Sequence, residues 1–88
     1  IMETVNLDMP EIDLVKLLTD MAKPIVEHPD EVKVTEEQSE DSVILTLSVA
    51  EGDMGMIIGK HGKIARALRT VIKAAAKISD KKVTVDIR

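Results

Sequence analysis

Eighty-eight residues without one cysteine, and with no apolar run near the length of a membrane span, describe one small domain held by packing alone; a disulfide scaffold, a cysteine metal site and a spanning helix are all excluded. No Phe, Tyr or Trp is present, so the core must be built from Ile, Leu, Val, Met and Ala, and bases cannot be held by stacking on aromatic rings. The net charge of −4 hides an asymmetry that directs an anionic partner to the C-terminal half: residues 1–53 carry three basic and fourteen acidic side chains (−11), and residues 54–88 nine basic and two acidic (+7).

Ile1 to Pro10 has neither the basic start nor the apolar core of a secretory leader, so none is expected, and cysteine-free composition suits a cytoplasmic setting. A helix is expected over 10–27, where Ile12, Val15, Leu18, Ala22 and Ile25 recur at helical spacing. Asp8 with Glu11 resembles a capping box, Pro10 suits a first turn, and Pro24 should kink the helix or restart it. His28-Pro29-Asp30 ends the element. A weakly alternating strand over 31–38 and a stronger one over 43–50 flank the polar turn Ser39-Glu40-Asp41-Ser42, which makes a hairpin. Val43, Leu45, Leu47 and Val49 share one face of the second strand, and Ile44 suggests partial cover on the other.

Glu51-Gly52-Asp53 reads as a turn, with Asp53 the N-cap of a short helix over 54–58. A glycine loop follows at 59–62. Residues 63–78 then make the clearest helix, with a buried stripe of Ile64, Leu68, Val71, Ile72 and Ala75. Lys63, Arg66, Arg69, Lys73 and Lys77 fall within about a third of the opposite circumference. Ser79-Asp80 closes it, and Val83, Val85 and Ile87 alternate in a last strand. The order α-β-β-α-α-β makes an α+β fold, one three-stranded mixed sheet covered by helices on one side.

Ile57-Ile58-Gly59-Lys60-His61-Gly62-Lys63-Ile64 is the most informative stretch. Glycines at such a junction allow a tight turn and a close approach of another backbone. A helix opening just after them aims its unpaired N–H groups at the loop, which suits a phosphate. Lys60, His61 and Lys63 add positive or protonatable groups there. Two glycines three apart also occur in plain interhelical turns; the apolar segments on both sides and the basic helix face favour a nucleic-acid backbone clamp.

Ile58-Gly59-Lys60-His61-Gly62-Lys63-Ile64-Ala65-Arg66-Ala67-Leu68-Arg69 resembles the core of a KH domain, and the element order matches the bacterial (type II) arrangement. Asp53-Met54-Gly55 through Lys73-Ala74-Ala75-Ala76, with His28-Pro29-Asp30-Glu31-Val32, is similar to the small single-KH bacterial proteins of the KhpA (YlqC) family. The resemblance covers residues 9–88 and leaves 1–8 as an N-terminal extension. It implies single-stranded RNA binding and an RNA-chaperone role. The loop would clamp the backbone of about four nucleotides. Gly59 and Gly62 would admit the sugar-phosphate chain, and Lys60 and Lys63 would meet phosphates. His61 would donate a hydrogen bond or simply be exposed. Arg66 and Arg69 would extend the positive track. Either Ile57 or Ile58 would line an apolar groove beside the bases. The resemblance also implies a homodimer, or pairing with a larger Jag-type KH protein. Ile64, Ala67 and Ala74 are the candidate dimer contacts. For Lys73 and Lys77 a solvated face is expected.

Other chemistry finds little support. Gly55 to Gly59-Lys60 is one residue short of a nucleotide P-loop, and His61 stands where Ser or Thr is needed. Two distant histidines give no metal-ligand spacing, the serines have no nucleophile context, and neither a cofactor nor catalysis is expected. The rival to an RNA binder is a KH-fold interaction module with little RNA binding of its own. The strongly acidic N-terminal half supports that rival.

Overall fold

The computed structural model describes residues 13–88, apart from Ser79 and the side chain of Lys60. Helix α1, Leu14–Ala22, starts at Asp13, whose carboxylate accepts from the Lys16 backbone N–H at 3.0 Å. That occupies one of the donors a helix start leaves unpaired. The helix is shorter than the expected 10–27. It ends at Ala22, and the chain turns over 23–25, where Pro24 lacks the N–H that would reach the Asp20 carbonyl. The Asp8–Glu11 pair, Ile12 and the extension over 1–8 lie outside the described residues. Leu14, Leu18 and Ala22 are buried, while Val15 and Ile25 are only partly so.

A single 3₁₀ turn over Pro29–Glu31 leads into β1, Lys33–Gln38. The expected turn at 39–42 is present: the Ser39 N–H donates to the Ser42 carbonyl at 2.9 Å, and the two hydroxyls lie 2.6 Å apart. Strand β2, Ser42–Ser48, is central in the order β1-β2-β3. It pairs antiparallel with β1 (Val34 opposite Leu47) and parallel with β3, Lys82–Ile87 (Leu45 opposite Val85), so the sheet is mixed. Val43, Leu45 and Leu47 point into the core. On the other face Ile44 is 42% exposed and Ser42 and Thr46 are partly covered, while the helices lie on the side of Val43, Leu45 and Leu47. Glu36, Glu37 and Gln38 are exposed along the free edge of β1, where charge discourages pairing with another strand.

A second 3₁₀ turn, Glu51–Asp53, opens into α2, Met54–Ile78. The two expected helices are the two arms of this one helical run, which changes direction at His61 and Gly62, both left-handed. The long arm, 63–78, packs on the sheet through Ala65, Leu68, Ile72, Ala75 and Ala76. The buried stripe is therefore rotated from the expected one: Ile64 is half-buried and Val71 is 45% exposed. Ala65, Ala75 and Ala76 are buried on that face beside the larger Leu68 and Ile72. The arm ends in a reversal in which the Asp80 N–H bonds to the Lys77 carbonyl and the Lys81 N–H to that of Ala76. Asp80 sits there at φ 57°, the left-handed place that glycine usually takes. Among the described residues no helix is long and apolar enough to cross a membrane.

Candidate nucleic-acid interface

The turn inside α2 combines two successive left-handed residues, His61 (φ 63°) and Gly62 (φ 70°). Glycine takes this conformation freely, whereas a residue with a Cβ meets its own carbonyl at a cost of about 1–2 kcal/mol. The His61 carbonyl accepts from the Arg66 guanidinium (Nη2) at 3.4 Å, a long bond that braces the turn one helical turn downstream. Gly59 differs: its backbone belongs to the right-handed short arm. A Cβ built there meets nothing within 4 Å. Neither a left-handed angle nor internal packing requires glycine at 59, so the bare backbone faces open space.

His61, Lys63 and Arg66 are exposed around this turn, as expected; the Lys60 side chain lies outside the described residues. Arg69 departs from the expected track. Its Nε donates to the Val85 carbonyl on the outer edge of β3 at 3.2 Å, so it ties the long arm to the sheet and offers only the rest of its guanidinium outward. Of the two alternatives for the apolar groove, Ile57 is fully buried in the core and Ile58 is 48% exposed. A groove of about 400 Å³ beside the turn is lined by Gly55, Met56, Gly59 and Ile64. Gly55 and Met56 were not expected there; the i,i+4 spacing of Gly55 and Gly59 is the signal that places them on one helix face.

The short arm is anchored from behind. Asp53, 1% exposed, does not cap α2 as expected. Its Oδ1 accepts from the Glu27 N–H at 3.2 Å, and its Oδ2 from the His28 N–H at 3.0 Å, with the His28 Nδ1 at 3.1 Å. The carboxylate therefore pins the loop after α1 to the start of the short arm. Burial pushes the Asp53 carboxyl up, but the Glu27 N–H and the His28 side chain and N–H outweigh it and hold it below the ordinary value. The hydrogen bond and the charge of Asp53 raise His28 above its ordinary value. His28, expected at the end of the first helix, instead lies six residues beyond Ala22, just before the 3₁₀ turn, where it pairs with Asp53. Among the described residues no three His or carboxylate groups are placed to hold a metal ion.

On the side of the long arm facing α1, an apolar groove of about 310 Å³ is lined by Met21, Ile25, Ile64, Ala67, Leu68 and Val71. It brings together two of the three candidate dimer residues, Ile64 and Ala67. Ala74 is exposed two turns farther along, outside the lining.

Comparison with known proteins places the chain in a family. Residues 15–87 match the family model described as KhpA/KhpB, KH domain. A protein of Clostridium acetobutylicum named RNA-binding protein KhpA is 56% identical over 72 residues, 82% of this chain and 96% of that one. Its namesake in Clostridium perfringens is 50% identical over the same shares of both chains. The Bacillus subtilis protein of that name is 39% identical over 79 residues, 90% of this chain and 98% of its own.

Proposed function

The chain belongs to the KhpA/KhpB family of KH domains, and from that premise we propose that it binds single-stranded RNA without catalysis, holding the RNA backbone at residues 59–62. The observation that carries the clamp is Gly59: a helical glycine with open space before it, next to a left-handed turn and the exposed cations Lys63 and Arg66. A sugar-phosphate chain can approach a backbone that bears no Cβ. Ile58, Met56 and the groove beside Gly59 offer apolar surface to the bases. Gly59, Lys60, His61, Gly62, Lys63 and Arg66 make the contact surface, and Arg69 joins it only through its outer guanidinium edge. With no aromatic ring to stack on, affinity is largely electrostatic, and a second copy or a larger KH partner raises it through avidity. The setting is the cytoplasm, where such RNA is available.

The test reverses the loop charge. Lys60→Asp with His61→Asp is expected to abolish binding to an RNA oligonucleotide. The melting temperature should stay within the change expected of about 0.5 kcal/mol, because Asp tolerates the left-handed conformation and His61 is exposed. A variant that melts like the parent and binds RNA equally well removes the clamp. The interaction-module reading, favoured by the acidic edge of β1, then takes its place.

A further inference from the structure

We propose that a second phosphate-binding site lies at the far end of α2, in a cleft of about 440 Å³ between the end of the long arm and the start of β3. The inference rests on the RNA-binding reading above and extends the path of the same strand. Lys73, Lys77, Lys81 and Lys82 line the cleft against two carboxylates, Asp41 and Asp80. The ordinary account of lysines at a helix end is that they neutralise its last carbonyls. Here the carbonyls of Ala76 and Lys77 already accept from the Lys81 and Asp80 N–H groups. Lys73 stands a full turn earlier, and Lys82 comes from a different element, yet both face the same space. Lys73, Lys77 and Lys82 form no ion pair among the described residues. Three ammonium groups without a carboxylate partner among the described residues, drawn from two elements, suit an anion.

The cleft is connected to the turn. Arg66, Thr70, Lys73 and Lys77 follow one another at steps of four, three and four along the long arm, all exposed, and residues 63–78 contain no acidic side chain. At about 1.5 Å per residue, Lys77 stands about 21 Å along the axis from Lys63. The clamp holds about four nucleotides around residues 59–62, so a strand that also fills the cleft continues past the clamp along the long arm. Asp41 and Asp80 weaken the local positive field, which makes the cleft an extension of the clamp and not an independent site.

The experiment pairs two RNAs, of about four and about twelve nucleotides, with the parent and with a Lys73→Ala, Lys77→Ala variant, over a series of salt concentrations. Both positions are exposed on a helix, and an unchanged melting temperature confirms the fold. The expected result is equal binding of the short RNA by both proteins and weaker binding of the long RNA by the variant. The slope of log affinity against log salt on the long RNA should become shallower by about 1.4, which is two contacts at about 0.7 each. Unchanged binding of the long RNA overturns the site, as does an equal loss on both RNAs, which would place the lysines within the clamp itself. If the parent binds neither RNA, the RNA-binding reading fails together with this one.

Discussion

Gly59 and Gly62 stand three residues apart and are glycines for different reasons. Gly62 is left-handed, so an alanine there is strained by about 1–2 kcal/mol. Gly59 is helical with nothing before it, and glycine inside a helix is less stable than alanine by about 0.5–1 kcal/mol. Gly59→Ala is therefore expected to raise the melting temperature while weakening RNA binding, since in the proposed clamp its methyl group would stand in the path of the sugar-phosphate chain. Thermal unfolding and oligonucleotide titration check the two effects on one sample; tighter binding would mean that no backbone passes there. Ile57 and Ile58 divide in a similar way. Truncating the fully buried Ile57 to alanine should cost about 2–5 kcal/mol of stability, whereas Ile58→Ala should leave the fold nearly unchanged and lower RNA affinity. Denaturant unfolding measures the first and oligonucleotide titration the second.

Between elements, the Asp53 carboxylate decides where the short arm begins. It holds two backbone N–H groups and the His28 ring, which fixes the loop after α1 against the arm that carries Gly59. Because the pair raises the His28 pKa, its stabilisation is fully present below the ordinary value of about 6.5 and is lost as pH rises through the raised value. Because the Asp53 pKa is lowered, its contribution is present above the ordinary value of 3.8 and is lost as pH falls through the lowered one. The pair thus contributes most from about pH 4 to 6.5. The melting temperature should fall when pH is raised from about 6 to 8.5, and His28→Gln should remove most of that fall. A variant that keeps the parent's full pH dependence would assign it to another group. Asp53→Ala, which strands two N–H donors, should destabilise at every pH.

For the molecule as a whole, one sheet face is covered and the helical layer carries an open apolar groove. Ile64, Ala67 and Val71 line that groove beside Met21 and Ile25, with Val71 45% exposed. A second copy seated there would bury the groove and set two basic long arms on one RNA. The 9.7 kDa chain is accordingly expected to sediment as a dimer at micromolar concentration. Val71→Lys should shift it toward the monomer, with little effect on the fold because the side chain is already exposed. Sedimentation equilibrium showing only the 9.7 kDa species for the parent would remove the claim.

Element order, the hairpin turn, the direction change between two glycines and the basic face of the long arm were all legible in the sequence. Each depends on local properties: periodicity, turn residues and the freedom of glycine near the chain reversal. What the sequence left open depended on contacts between distant segments. Periodicity marks a helix's apolar side only to within a residue or two, so the burial of Ala65 and Ala76 in place of Val71 was settled by how the long arm docks against the rest of the fold. The same packing sent Ile57 inward and Ile58 outward. Asp53 carried a local capping signal, yet Glu27 and His28, more than twenty residues earlier, claimed its oxygens because the fold brings their N–H groups to it. Arg69 counted as one more cation on a basic face until the edge of β3 supplied a carbonyl. Local preferences are each worth about a kcal/mol or less, and a buried contact with a distant partner outweighs them.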